Sequence, residues 1–297
     1  MQWSPRSIQW WGIAVLIGGF AITGVWGVVD GGAEGPETAP IRVMAFNLRY
    51  ARMTGKHSWL RRAPAVQQVI ERHAPDLIGT QEGLYPQLQS LAARIPDYRW
   101  IGLGREGGSR GEFMAVFYRA ARFTPLEFDH FWLSDTPDTI GSKGWGNNVV
   151  RMVTWVRFRD RETGRDLVLI NTHFDHESQP SREKSAALLA KRIGEIAAES
   201  RVIVTGDFNA DAATNPVHAR LLEAGLVDTW ESAKSRSKQY ATYHGYREPT
   251  LDGPRIDWIL TGPGWRCTRA EIVIDRPELD GEAVYPSDHF PVTAILE

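Results

Sequence analysis

The chain has one cysteine, Cys267, among 297 residues. A single thiol excludes any intramolecular disulfide and any cysteine-rich zinc cluster. Surplus charge is also scarce: 34 Lys and Arg face 36 Asp and Glu, a formal net charge of -2. That balance gives no broad basic face of the kind that grips long nucleic acids. An HExxH zinc motif and a Walker phosphate loop are missing, which removes two common metalloprotease and nucleotide signatures. The body carries no internal repeat and no low-complexity tract. What is present is an ordinary globular composition, 42% hydrophobic and 24% charged, with 12 Trp. Four of them, Trp3, Trp10, Trp11 and Trp26, lie at the start of the chain.

Ser7 to Val29 is uncharged and almost entirely apolar. A helix of that length reaches about 35 Å, enough to cross a bilayer core of about 30 Å. Trp10, Trp11 and Trp26 stand near its ends, where indole rings favour the membrane interface. Arg6 precedes the run, and Asp30, Glu34 and Glu37 follow it, so the expected orientation exports everything after residue 30. The apolar core exceeds that of a cleaved signal peptide, and Gly31-Gly32-Ala33 is a poor cleavage site. Residues 1–29 are therefore expected to be a membrane anchor, or a signal sequence whose removal gives a secreted protein. Residues 30–40 (DGGAEGPETAP) read as a linker, and 41–297 as the catalytic body. The acids in the linker account for the small negative balance, so the body itself is neutral.

Within the body, strand-like and helix-like segments alternate, which predicts an α/β fold. Ile41–Asn47, Asp76–Gln81, Phe113–Tyr118, Val153–Phe158, Leu167–Asn171, Val202–Thr205, Ile256–Leu260 and Val292–Leu296 have strand composition. Helices are predicted over Leu60–His73 and, most strongly, Ser181–Glu199, with Pro180 just before it. Polar residues gather at the strand ends: Asn47, Glu82, Asn171, His173, Asp175, Asp207, Asn209, Asp257, Asp288 and His289. Strand ends are rigid places from which side chains can converge on one pocket. Hard oxygen donors suit magnesium or manganese, which hold water and phosphate oxygens. A histidine held by an aspartate can take a proton from water. Together these parts describe metal-assisted phosphoester hydrolysis.

NTHFDH, GDFNA, RIDWIL and SDHFPV occur in that order after FNLRY and QEG. This series resembles the endonuclease/exonuclease/phosphatase superfamily, and the resemblance spans residues 41–297. It implies a four-layer α/β sandwich of two packed mixed β-sheets flanked by helices, here preceded by one N-terminal transmembrane helix. It also implies roles by position. Glu82 and Asn47 resemble metal-site residues, and Asp288 a further metal or phosphate-site acid. Asp207 and Asn209 resemble the pair that orients water and contacts phosphate. His289 resembles the general base and Asp257 its orienting carboxylate. His173 resembles the histidine that binds a phosphate oxygen and can act as an acid. Glu112, seven residues before Arg119, resembles its glutamate partner. Asp175, His176 and His244 divide evenly between site and structural roles.

Residues 130–155 (HFWLSDTPDTIGSKGWGNNVVRMVTW) resemble a segment of a bacterial secreted or membrane-linked branch of that superfamily. Trp145 and Arg151 are candidate pocket-wall residues, with Arg151 gripping a phosphate; Tyr118 is a further candidate substrate contact. Trp132 and Trp155 read equally well as sheet-core residues. The expected activity is Mg2+- or Mn2+-dependent hydrolysis of a small-molecule or lipid phosphoester by a monomer outside the cytoplasm. Two alternatives remain: an extracellular nuclease on DNA or RNA, disfavoured by the neutral body, and a non-catalytic binding module, disfavoured by the retained ionisable residues.

Overall fold

The computed structural model of the chain describes residues 39–197 and 200–297. The predicted anchor over 1–29 and nearly all of the predicted linker lie outside the described residues. Among the described residues, no helix is long and apolar enough to cross a membrane.

Two sheets form the centre. From edge to edge, the first runs Ser235–Arg236, Cys267–Ile272, Val292–Leu296, Ile41–Asn47, Leu77–Gln81, Val116–Arg119 and Tyr98–Ile101. The second runs Val227–Asp228, Asp257–Thr261, Arg201–Asp207, Asp166–His173, Met152–Asp160 and Phe123–Trp132. Both are mixed. Ile41–Asn47 lies parallel to Leu77–Gln81, and Arg201–Asp207 parallel to Asp166–His173, while most other neighbours are antiparallel. Three apolar clusters order the layers. One lies between the sheets and joins Val43, Leu77 and Ala294 to Leu169, Ile203 and Ile259. A second packs the outer face of the second sheet on the helices Gln179–Ile196 and Pro216–Glu223. A third packs the first sheet on Trp59–His73 and Tyr85–Arg94. The result is the predicted four-layer sandwich.

Gly79 shows how tightly the sheets approach. A Cβ there would sit 2.0 Å from Thr205 Oγ1 and 2.6 Å from Asn171 Oδ1. Asn171 uses that proximity: its Nδ2 donates to Thr80 O and Ala115 O on the first sheet. The asparagine at this strand end thus ties the two sheets together and takes no place in the pocket.

The structure corrects several boundaries. The predicted strand Phe113–Tyr118 is two pieces, Glu112–Phe113 and Val116–Arg119. At the break, Thr80 N and Asn171 Nδ2 both donate to Ala115 O. The first piece turns away to pair with Gly83–Leu84. The main helix begins at Gln179, capped by the Ser178 side chain, and ends at Ile196. Phe123–Trp132, Tyr85–Arg94 and Cys267–Ile272 were not anticipated; the first is an edge strand whose middle is exposed, so it lacks a clean apolar alternation.

Candidate active site

Strand register gathers the predicted residues at one end of the sandwich. In the second sheet Asp207 stands level with His173 on one neighbour and Asp257 on the other. In the first sheet Asn47 stands level with Gln81, and Glu82 follows where the chain leaves the sheet. Glu82 has φ of 61° and Asn209 of 48°, a left-handed backbone that non-glycine residues adopt only when surrounding contacts over-determine it. Between them lies a pocket of about 400 Å³, with Glu82, Arg151, His173, Asp207, Asn209 and His289 in its wall.

Asp207 is the hub. Its Oδ2 accepts from Asn47 Nδ2 at 3.0 Å and lies 3.4 Å from His173 Nε2 and 3.8 Å from His289 Nε2. Its Oδ1 accepts from Asn209 N at 3.0 Å. His289 Nδ1 stands 2.9 Å from Asp257 Oδ2, which aims Nε2 at the pocket. Asn209 Nδ2 stands 3.0 Å from His173 Nε2 and donates to Phe174 O, so His173 Nε2 is an acceptor and its proton sits on Nδ1. Asn47 Nδ2 also donates to Glu82 Oε1 at 3.0 Å, while its Oδ1 accepts from Arg49 N. As placed, Asn47 steadies two carboxylates and does not itself present an oxygen ligand.

The donor set fits a divalent cation. A Glu82 oxygen, an Asp207 oxygen and a His173 nitrogen lie within 4.8 Å of one another, and Asp207, Asp257 and His289 form a second such group. Asp257 Oδ1 is buried without a protein partner. Carboxylate oxygens crowded in this way repel unless a cation or protons come between them. Burial and the neighbouring Asp257 charge push Asp207 up to about 7. Burial alone would lower His289, but the carboxylates of Asp257 and Asp207 outweigh it and raise the ring well above its ordinary value. Burial, helped by the Arg151 charge, holds His173 well below its ordinary value, so that ring is neutral.

These directions fix a stability profile. A carboxyl raised on folding keeps its proton longer in the native state, so its contribution is lost as pH rises from about 4 to about 7. A raised histidine stabilises fully below about 6.5 and less as pH climbs through its higher folded value. Both are opposed below about pH 6.5 by the lowered His173 and His244, whose neutral rings make stability rise with pH up to that point, so Asp207 and His289 dominate only above it. In EDTA, Tm is expected to fall between about pH 6.5 and about pH 8, and saturating Mg2+ to raise Tm more at the higher pH. A Tm that does not fall over that range in EDTA, or equal Mg2+ effects at both ends, would contradict this electrostatic picture.

Residues 44–289 match the Endonuclease/Exonuclease/phosphatase family. The chain belongs to that family. Its members are divalent-metal-dependent phosphoester hydrolases. Among solved structures, a mannosyl-6-phosphatase from Bacteroides thetaiotaomicron is 33% identical, with a TM-score of 0.81 over 86% of this chain and 99% of that one. A family protein from Bacteroides vulgatus is 34% identical, with a TM-score of 0.81 over 88% of this chain and 99% of that one. The catalytic domain of human Nocturnin shares the fold at 20% identity, with a TM-score of 0.66 over 87% and 93% of the two chains. No curated protein sequence matches this chain significantly.

Other predicted site residues of this family member are placed as follows. Glu112 reaches the pocket but pairs with Arg105 at 2.7 Å and makes no hydrogen bond to His173, whose Nδ1 is buried without a partner among the described residues. Asp288 lies 3.4 Å from Arg49 Nη1 and faces an adjoining hollow of about 180 Å³, outside both candidate ligand groups. Arg151 lines the pocket, with Nη2 2.9 Å from His176 Nδ1.

Tyr118 is a correction. Its side chain packs in the apolar layer between the sheets, 5.0 Å from the Phe158 ring, because its strand position points inward. Trp145 is a second: it donates to Asp135 and stacks under Lys184, and it is not in the pocket wall. Trp132 and Trp155 are core residues. Asp175 caps its turn by accepting from Glu177 N and Ser178 N, whereas His176 lines the pocket. His244 is buried against Phe290 and Tyr285, off the pocket. Sequence reasoning passed over Arg49, Arg105 and Tyr243 as individual pocket residues. Arg49 sat inside the quoted FNLRY string, but Arg105 and Tyr243 lie on loops outside the quoted family strings.

Proposed function

We propose that this chain hydrolyses a phosphomonoester of a small polar alcohol, with Mg2+ or Mn2+, outside the cytoplasm. The observation that carries the reading is the Asp207 hub, flanked by the Asp257–His289 and Asn209–His173 pairs, within a pocket that also holds Arg49, Arg105 and Arg151. Arg49 and Arg151 beside a divalent cation suit the dianion of a monoester better than the single charge of a diester. About 400 Å³ is the scale of a single metabolite, within the usual range of roughly 300–1,000 Å³. The similarity to a mannosyl-6-phosphatase points the same way.

In this reading His289, oriented by Asp257, receives the proton of the attacking water. The water oxygen bonds to phosphorus, the bond to the alcohol oxygen breaks, and the alcohol leaves with a proton drawn from solvent. Arg151 and Arg49 hold the phosphate, while Asn209, whose amide nitrogen serves His173 and Phe174 O, braces the His173 ring. A divalent cation at Glu82 and Asp207 would offset phosphate charge and lower the proton affinity of both Asp207 and His289. His173 is neutral and serves by position, holding Asn209 and adjoining Asp207.

The test uses p-nitrophenyl phosphate and bis-p-nitrophenyl phosphate with Mg2+, Mn2+ or EDTA. Metal-dependent release of nitrophenol, faster from the monoester, is expected. No release from either substrate would refute the phosphomonoesterase reading; cleavage of supercoiled plasmid with neither nitrophenyl ester would favour a nuclease. The apolar run Ser7–Val29 supports a membrane-tethered enzyme with an exported body. Fractionation of the full chain against one starting at residue 39 tests that placement: only the full chain should sediment with membranes.

A further inference from the structure

The loop over residues 102–111 carries GxGxxG and GxSxG strings, yet it opens no helix and follows no nucleophile turn. It does something else. Gly104 bridges Phe113, and Arg105 N donates to Glu112 O at 2.9 Å, so Arg105 and Glu112 face each other across a closed hairpin. A Cβ at Gly104 would lie 2.1 Å from Arg110 O, so this closure requires glycine. Trp132 Nε1 donates to Arg105 O and pins the loop from outside. Glu112 also pairs in register with Leu84, two residues beyond Glu82. The Arg105–Glu112 ion pair, 2.7 Å long and mostly buried, is therefore held rigidly to the metal side of the pocket it lines.

The pair uses only part of its capacity. Among the described residues, Glu112 Oε1 accepts no hydrogen bond, and Arg105 Nη2 and Nε donate none. Its place in the pocket decides what it can meet. Glu112 and Arg105 line the same pocket as Arg151, His173 and His289, so a group esterified to a phosphate held there meets this ion pair on the wall.

We infer that the Arg105–Glu112 pair is a specificity-determining subsite that binds hydroxyl groups of a polyol leaving group, so the substrate is a sugar-like phosphomonoester. The carboxylate accepts from a hydroxyl and the guanidinium donates to its neighbour, a match for adjacent hydroxyls that a lipid chain would leave unsatisfied. This inference rests on the hydrolase reading above.

The test compares glucose 6-phosphate and mannose 6-phosphate with cyclohexylmethyl phosphate, a six-membered ring without hydroxyls. Wild type should favour at least one hexose phosphate by about 100-fold in kcat/KM, and Glu112→Gln or Arg105→Gln should lower that ratio by about 30-fold. No preference in the wild type overturns the subsite without any variant. Equal losses on both substrate types in the variants also overturn it, because a purely structural ion pair would act that way. If the wild type releases phosphate from none of the esters with metal present, the hydrolase reading itself fails.

Discussion

Replacing Asp207 by asparagine is expected to lower kcat on p-nitrophenyl phosphate by about 10⁴-fold. The substitution keeps the side chain's shape and removes its charge. Asp207 Oδ2 is the single oxygen near Asn47, His173 and His289, and it belongs to both candidate ligand groups. An amide there cannot balance a cation against Glu82, and it no longer holds a charge opposite His289. A positioned proton acceptor contributes about 10²–10⁴-fold, and loss of the metal's electrostatic effect adds to this. The fold should weaken little: the amide loses the hydrogen bond from Asn47 but removes a buried charge. Asp207 is buried beside Asp257, so its ionisation opposes folding near neutral pH. Asp207→Asn should therefore show an unchanged or higher Tm in EDTA at about pH 8 and a smaller Tm gain on adding Mg2+. Retention of more than a tenth of the wild-type rate would remove Asp207 from the centre of the chemistry.

The sequence exposes those parts of the fold in which periodicity and burial coincide. Ile41–Asn47 and Val292–Leu296 are largely buried, each follows a proline, and both appear with the predicted ends. The helix before Ala74 ends as expected, with Ala74 at φ 45° ahead of Pro75. The functional strand ends are legible for a related reason: a polar residue just after an apolar strand has few structural uses. What stays hidden is the direction of a side chain. Tyr118 and Glu112 lie close in sequence, yet the break at Met114–Ala115 sends Tyr118 into the core and Glu112 into the pocket. Asp288 and His289 are adjacent, so they point to different hollows. The partner of Glu112 could not be read either, because a hairpin closure and not a motif brings Arg105 to it.

Arg62 gives the second large effect, and no sequence pattern marks it. It is fully buried in the helix Trp59–His73. Its guanidinium donates to His57 O, Leu48 O, Pro286 O and Arg49 O, all within 3.0 Å. Those carbonyls belong to two segments: the loop that carries Arg49, and the turn that leads into Ser287, Asp288 and His289. Gln87 Nε2 also serves Leu48 O and Arg49 O, so Arg62→Met leaves chiefly His57 O and Pro286 O without donors. At about 1–3 kcal/mol for each buried unsatisfied group, the loss is about 3–5 kcal/mol, or roughly 10 °C in Tm. Arg62→Lys should recover only part of it, since one ammonium cannot span the same fork of carbonyls. Arg62 is absent from the pocket wall, so its effect on rate is indirect. Well below the variant's Tm, kcat should fall about 10-fold as the His289 turn loosens, while the metal dependence keeps its form. A variant that lost 10 °C yet turned over at the full wild-type rate would show that Arg62 supports the fold without positioning His289.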